Sequence, residues 1–423
     1  MLSMHTCPLA TLGGKETGGM NVYVRDLSRE LIRRGSIVDV FTRSQNPKVP
    51  QISHALGHGA RVIHIPAGPQ APMDKNMVFQ HIPEFVERVL SLTEREGRTY
   101  DVIHSHYWLS GWAARELRAA WDVPIIQMFH TLGHMKNSVA QSESEKESEQ
   151  RLHVERQIVA FTDRLIAATP LERAQLTWLY GADPAKISVV PAGVDTNLFS
   201  PRPKSQAKAF LGLPDQQRLV LFVGRIEPLK GIDTLIRAVD LVLRRHPDWK
   251  DSLALSIIGG IPDDSPETRS QEMDRLQKLR EELGLTDLIA FLGAKSQDTL
   301  PYYYSAAEVV VVPSHYESFG MVAVEAMACG TPVIASKVGG LSLTVQDGIT
   351  GYLVPDRDPV SLSERIELVL SNPELARAIG QRASEWANRF KWPNIASRIL
   401  EIYNEVQGNW LTTATQQQAC QSD

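Results

Sequence analysis

The sequence predicts an α/β protein made of two doubly wound, parallel-sheet domains. Three observations carry this. Short apolar runs that read as buried strands alternate with longer runs of helical periodicity, the pattern of βαβ units. Glycine-rich or charged stretches follow several of the strands, at the carboxyl ends where open parallel sheets bind ligands. The alternation is broken by the linker-like Pro201-Arg202-Pro203, and 423 residues suffice for two or three domains.

The first domain is expected over residues 1–200. Leu2-Ser3-Met4-His5 reads as the tail of a short first strand, followed by a glycine-rich loop, Gly13 to Gly19, and a helix from Met20 to Arg34 that Gly35 stops. Glycines between a strand and a helix let backbone N–H groups approach a phosphate or a sugar. Val38-Asp39-Val40-Phe41 and Arg61 to Ile65 read as further strands, the second ending in a loop that holds Asp74 and Lys75. A helix from about Gln80 to Glu96 precedes Tyr100 to Trp108, a strand running into a polar, aromatic turn. Val123 to Phe129 is an apolar strand ending in His130-Thr131-Leu132-Gly133. Lys75, Tyr107, His130 and Thr131 therefore all fall at strand ends. Ser142 to Arg156 is highly charged without an apolar stripe and reads mostly as a solvated loop and helix start. Phe161 to Thr169 and Ile187 to Asp195 complete the domain.

The second domain is expected over residues 201–385. It opens with the buried strand Leu219 to Val223, then Gly224-Arg225 and a loop to Lys230-Gly231, then an amphipathic helix from Asp233 to Leu243. Arg225 and Lys230 lie in a strand-to-helix loop, where two cations can clamp a diphosphate and stabilise the charge that develops as a bond breaks. Leu253 to Gly260, Leu288 to Gly293 and Thr331 to Ala335 read as strands of the same sheet. The central feature is Val311 to Ala326, which reads as strand end, polar loop and a helix opened by Gly320. The N–H groups at such a helix start point at the loop and the helix dipole is positive there, so the stretch is built for an anion. Glu317 in the loop and Glu325 in the helix frame it, as suits a nucleotide sugar with one phosphate and several hydroxyls. A helix over 386–410 is expected to return to the first domain, and residues 411–423, rich in Gln, to form a disordered tail.

Composition narrows the class. Hydrophobic residues make up 43% and charged residues 22%, as in an ordinary globular protein. A net charge of -5 argues against nucleic acid as a partner. Cys7, Cys329 and Cys420 are too scattered for a disulfide framework or a zinc site, which suits a reducing cytoplasm. No apolar run reaches the length of a membrane span and no signal peptide is expected.

Glu317 to Glu325 resembles the Glu-x7-Glu motif of retaining glycosyltransferases of the two-domain GT-B type, family GT4. The likeness runs from Ser3 to about Val406. Ser-Met-His-Thr-Cys-Pro-Leu, Gly-Gly-Met-Asn-Val-Tyr-Val, His-Ser-His-Tyr-Trp-Leu-Ser-Gly and His-Thr-Leu look like the branch of D-inositol 3-phosphate glycosyltransferases, sucrose-phosphate synthases and sucrose synthases. The resemblance implies two Rossmann-like domains facing a central cleft and a UDP-sugar as co-substrate, with no cofactor or metal required. It implies that Arg225 and Lys230 bind the diphosphate, that Glu317, Ser318, Phe319 and Gly320 hold the transferred sugar, and that Met321 and Val322 meet phosphate. Glu325 would take the ribose hydroxyls, Lys295 would lie beside the uracil, and His130 would touch the sugar near its O6. Gly19, Met20 and Asn21 would lie under the diphosphate and beside the acceptor. His130, Arg225, Lys230 and Glu317 form the implied catalytic set. Asp356-Arg357-Asp358 matches a metal motif of another glycosyltransferase architecture but lies in a Pro-flanked loop, and reads as a surface turn.

On the acceptor side, Lys75, Tyr107, Thr131 and Arg151 match the positions that bind the acceptor's phosphate in the inositol-phosphate branch. Two cations and two hydroxyls suit a phosphate dianion, so a small phosphorylated acceptor is expected. The acceptor reading favours fructose 6-phosphate with UDP-glucose by a narrow margin, on His-Thr-Leu-Gly at 130–133. D-inositol 3-phosphate with UDP-GlcNAc is the alternative, on Gly-Gly-Met-Asn and the Gly224 to Lys230 stretch. An idle sugar-nucleotide sensor would lack one of Arg225, Lys230 or the glutamates, and an epimerase would lack the four acceptor-phosphate residues. Neither set is broken. Retention without an evident nucleophile near His130 points to front-face transfer. A homodimer is left open.

Overall fold

The structure, a computed structural model, describes residues 1–11, 17–260 and 271–421, with backbone alone at 144 and 413–421. It divides into two units: Met1–Ala10, Gly19–Pro191 and the chain from Trp392 form the first, and Thr11–Gly18 with Ala192–Lys391 the second. The chain thus changes unit near 191 and returns near 391, where the sequence reading places its boundaries at 200 and 385. Most of the glycine-rich loop, residues 12–16, lies outside the described residues.

In the first unit, β1 (Val38–Arg43), β3 (Ala60–Ile65) and the short β2 (Ile52–Ser53) form one group, and β4 (Ile103–His106), β5 (Ile125–Met128), β6 (Arg164–Ala167) and β7 (Ile187–Val189) another. Leu2 joins the groups, bridging in parallel to Phe41 of β1 and to Ser105 of β4. The expected first strand is therefore reduced to a bridge, held by hydrogen bonds from Leu2 N to His104 O and from His106 N to Leu2 O, at 2.9 and 3.0 Å. With Leu2 counted as a strand, the order reverses direction beside it, so the loops after Leu2 and after β4 leave the sheet at a topological switch point. Every strand residue of β1, β4 and β5 is buried, as parallel strands covered on both faces require.

The last helix, Trp392–Gln421, belongs to this unit and packs along the helix Gly19–Arg33. Arg34 Nη2 donates to Pro393 O at 2.8 Å, and the Tyr403 hydroxyl lies 2.7 Å from His104 Nδ1. Helical backbone covers most of the stretch that the sequence reading left as a disordered tail. The run after Thr412 is uncharged until its last residue but holds no glycine or proline to stop a helix.

The second unit is one parallel sheet in the order β10 (Ile289–Phe291), β9 (Leu253–Ile258), β8 (Arg218–Val223), β11 (Val309–Val312), β12 (Val333–Ser336), β13 (Gly351–Val354). Chain direction across the sheet reverses between β8 and β11, which pair at Val309 with Val220 and Val310 with Leu221. Val309 to Val312 are all buried, and the core gathers Val220, Phe222, Leu255, Ile257 and Ile334 around them. Close backbone approach fixes the loops at the carboxyl edge. Gly259, at a φ of 146°, would put a Cβ 1.7 Å from the Gly224 carbonyl oxygen. Replacing Gly259 by Ala should therefore lower unfolding stability by about 2 kcal/mol or more. Denaturant unfolding measures this; an unchanged midpoint would mean that the two loops do not touch as described.

Candidate active site

Two clusters of functional side chains emerge, one in each unit. In the second unit, Lys230 lies in the loop after β8 and Glu317 in the loop after β11, at the switch point between the two central strands. Their side chains form an ion pair, and Ser314 Oγ donates to the same Glu317 oxygen at 3.3 Å. Lys230 and Glu317 are mostly buried, with side-chain exposures of 15% and 20%, so each charge depends on the other for compensation. Arg225 pairs with Glu227 at 2.8 Å.

Glycines position this loop. Gly231, at a φ of 62°, lets its own loop meet the next: a Cβ there would lie 2.1 Å from the Pro313 carbonyl oxygen. His315 N donates to Leu229 O across the same junction at 2.8 Å. Gly339 and Gly340 lie flat on the Glu317–Phe319 backbone, where added Cβ atoms would come within 2.0 and 2.2 Å of the Glu317 and Ser318 oxygens. Gly320, at a φ of 91°, opens the helix Met321–Ala328, whose own ladder leaves the N–H groups of Met321 and Val322 available. Phe319 is buried, with its ring edge-on to Phe390. Ser318 Oγ lies 3.4 Å from the Tyr316 hydroxyl. Glu325 is buried on the helix and accepts the Tyr304 hydroxyl at 2.8 Å. Lys295 sits half-buried in the segment after β10, at the same edge of the sheet. Asp356 accepts from His315 at 2.7 Å and Asp358 caps the helix Pro359–Ser371, so both carboxylates of the Asp-x-Asp run have structural work.

In the first unit, the structure brings Lys75, Tyr107, Thr131 and Arg151 together. Arg151 Nη1 donates to the Tyr107 hydroxyl at 2.9 Å, and Nη2 to Thr131 O and Oγ1 at 2.8 and 3.2 Å. Arg151 is fully buried at 0% exposure. Two carboxylates compensate it: Glu155 Oε1 at 2.7 Å and Glu147 Oε1 at 3.0 Å. Glu147 Oε1 also meets Lys75 Nζ at 2.6 Å and Lys136 Nζ at 2.5 Å. Burial alone would raise the Glu147 pKa, but Arg151, Lys136 and Lys75 outweigh it and hold the carboxyl well below its usual range. Lys75 begins a short helix capped by Asp74, rather than lying free in a loop.

Glu147, Glu155 and Lys136 belong to this cluster although sequence reasoning missed them. The stretch Ser142 to Arg156 reads as solvated, yet Glu147 is 6% and Glu155 0% exposed. This corrects the expectation. The helix Glu149–Phe161 buries Arg151 and Glu155 one turn apart, so the charges satisfy one another instead of facing water. The spacing Glu147, Arg151, Glu155, each four residues apart, was the available signal.

Backbone strain marks the same place. Tyr107 and His130, at the ends of β4 and β5, have φ values of 75° and 62° although neither is glycine. His130 Nε2 lies 3.0 Å from His106 Nδ1, and burial pushes the His130 pKa down to about 3, so the ring is neutral. Asn21, at the start of the helix Gly19–Arg33, donates to Thr6 Oγ1 and Cys7 O, both at 2.7 Å, which ties down the segment after Leu2. Gly19 is exposed at that helix start, and Met20 packs on the core. Among the described residues, no group of His, Cys, Asp or Glu is arranged to hold a metal, and no helix is long and apolar enough to cross a membrane.

The buried histidines give a pH dependence. His104, His106 and His130 are all pushed below 6.5, chiefly by burial, so below that pH the unfolded chain takes up protons that the folded chain refuses. Glu172, pushed up by burial to about 7, opposes this by one proton. Stability should therefore fall by roughly 1–3 kcal/mol per pH unit between 6.5 and 5, where three histidine protons outweigh the one on Glu172. Urea unfolding across that range measures it, and a flat profile would place protons on the folded histidines.

Residues 17–198 match the family described as Glycosyltransferase Family 4, and residues 203–386 the family described as Glycosyl transferases group 1. A D-inositol 3-phosphate glycosyltransferase from Acidothermus cellulolyticus is 42% identical, over 99% of this chain and 92% of the relative. Among solved structures, sucrose-phosphate synthase from Thermosynechococcus elongatus is 37% identical, covering 96% of this chain and 98% of that one, with a TM-score of 0.88. HepE from Anabaena, solved with UDP-glucose, shares the fold at 21% identity and a TM-score of 0.72, over 94% and 98% of the two chains.

Proposed function

The chain belongs to the family 4 glycosyltransferases, and on that premise we propose that it moves a hexosyl group from a UDP-sugar to a small phosphorylated acceptor, with retention of configuration. The observation that carries this is the convergence of Lys75, Tyr107, Thr131 and Arg151, with side chains linked directly or through one carboxylate oxygen, in the first unit. Two cations and two hydroxyls at one point suit a phosphate dianion and give a glycan or lipid acceptor nothing to match.

The donor falls to the second unit. Its diphosphate would meet the Met321 and Val322 N–H groups at the helix start, with Arg225 and Lys230 as counter-cations. Lys230 would exchange Glu317 for the phosphate, which frees Glu317 to accept from the transferred sugar's hydroxyls. Glu325, buried beside Tyr304, would take the ribose, and Lys295 would lie by the uracil. The bond from the anomeric carbon to the phosphate oxygen breaks as the acceptor hydroxyl attacks from the same face and passes its proton to the leaving phosphate. Lys230, Arg225 and the helix dipole stabilise the charge gained there, which is what binding the transition state more tightly than the substrate requires. A neutral His130 can hydrogen-bond the sugar without adding charge near the oxocarbenium-like centre.

Two substrate pairs fit. UDP-glucose with fructose 6-phosphate is supported by His130-Thr131-Leu132-Gly133 and by the likeness to a sucrose-phosphate synthase. UDP-GlcNAc with D-inositol 3-phosphate is supported by Gly18-Gly19-Met20-Asn21 and by the inositol-phosphate relatives. UDP release from each donor with fructose 6-phosphate, inositol phosphate or unphosphorylated fructose separates them. Turnover with one phosphorylated acceptor is expected, and equal turnover with unphosphorylated fructose would defeat the reading. Lys230→Ala and Glu317→Ala should each lose about 3 kcal/mol of transition-state stabilisation, roughly a hundredfold in kcat/KM. Lys75→Ala should raise the acceptor's KM far more than the donor's, and equal effects would remove Lys75 from the phosphate site.

A further inference from the structure

Glu147 is an anomaly in a site meant for an anion. Its carboxylate lies where the cations converge, and all three contacts fall on one oxygen: Oε1 meets Lys75 Nζ at 2.6 Å, Lys136 Nζ at 2.5 Å and Arg151 Nη1 at 3.0 Å. We propose that Glu147 is an internal stand-in for the acceptor's phosphate, neutralising Lys75, Lys136 and Arg151 in the free chain and yielding its place to a phosphate dianion, with Lys136 as a further phosphate ligand. The inference rests on the reading of the acceptor as a phosphorylated small molecule.

Charge supports displacement. Around Arg151 stand the cations Lys75, Lys136 and Arg151 and the carboxylates Glu147 and Glu155. A dianion added with Glu147 in place would leave the buried cluster with an excess of negative charge. With Glu147 withdrawn, three cations face Glu155 and the dianion, and the cluster is neutral. A phosphate also offers separate terminal oxygens to cations that now share one carboxylate oxygen, so more charge-assisted hydrogen bonds can form at good geometry.

The two carboxylates are held differently. Glu155 is locked: besides Arg151 it accepts the Tyr180 hydroxyl at 2.5 Å and the Gly133 N–H at 3.0 Å, and it lies mid-helix. Glu147 precedes the helix, just before its cap Ser148, and follows the exposed Glu145 and Lys146. Asn137 holds its backbone, with Oδ1 accepting from Glu147 N at 2.7 Å, and in this proposal the side chain turns toward the surface that the neighbouring Glu145 and Lys146 occupy. Exchange of one carboxylate for one phosphate keeps the cations compensated at both ends of the process, and it penalises uncharged acceptors, which cannot replace Glu147.

The test is calorimetric titration of inorganic phosphate into the full chain under saturating UDP, which fills the donor's own phosphate positions. Glu147→Gln should tighten phosphate binding at least tenfold, and Lys136→Gln should weaken it at least tenfold. Phosphate binding that is unchanged or weaker in Glu147→Gln would overturn the stand-in role, and unchanged binding in Lys136→Gln would overturn that residue's part. If Glu147→Gln folds only with phosphate present, the ligand has substituted for the carboxylate, as proposed. If it folds under neither condition, Glu147→Asp decides: its shorter carboxylate competes less well for the cations, so the variant should bind phosphate more tightly than the unaltered chain, and equal or weaker binding overturns the proposal. The titration needs no turnover, so it stands even if no phosphorylated acceptor reacts. Turnover without a gain in Glu147→Gln would leave the acceptor reading intact and remove this one.

Discussion

A guanidinium with no exposure to solvent governs the first unit. Arg151 can be buried only because its donors and charge are met by Tyr107, Thr131, Glu147 and Glu155. Removing one partner of such a charge costs more than the pair itself contributes. That constraint explains the surroundings. The strained backbone at Tyr107 aims a hydroxyl at it, and Gly133 lies so close to Arg151, Glu155 and Leu152 that a side chain there would strike them. The helix Glu149–Phe161 must carry both Arg151 and Glu155 on its inner face.

The second unit applies the same logic more loosely. Lys230 and Glu317 compensate each other at the switch point, but they retain some exposure and stand on loops rather than inside a helix. Glycines set those loops in direct backbone contact, so the ion pair is placed by the sheet rather than by its own attraction. In both units, then, charges suited to a ligand are neutralised by side chains of the chain itself. Desolvated cations left unpartnered would cost several kcal/mol each, and a carboxylate is the anion a protein has to hand.

Much of this was legible in the sequence. The strand-and-helix alternation gave the parallel sheets, and glycines after strands marked the ligand edge. Of the residues read at strand ends, the structure gathers Lys75, Tyr107 and Thr131 around Arg151 in the first unit and pairs Lys230 with Glu317 in the second. Glu147 and Glu155 were not read as site residues, because a charged run without an apolar stripe reads as solvated and their four-residue spacing with Arg151 was the one hint that the charges face inward; Lys136, outside that run, carried no such hint. The first strand was overread: Leu2 bridges two strand groups without forming one of its own. The tail was read as disordered, although a polar run with no helix breaker can extend the helix that precedes it.

A crystal structure of the chain with UDP and the phosphorylated acceptor that supports turnover would test the central claim most directly. The account predicts the acceptor's phosphate within hydrogen-bonding distance of Lys75, Tyr107, Thr131 and Arg151, and the UDP phosphates at the Met321 N-terminus with Lys230 parted from Glu317. An acceptor phosphate bound away from Arg151, with that cluster unchanged, would contradict it.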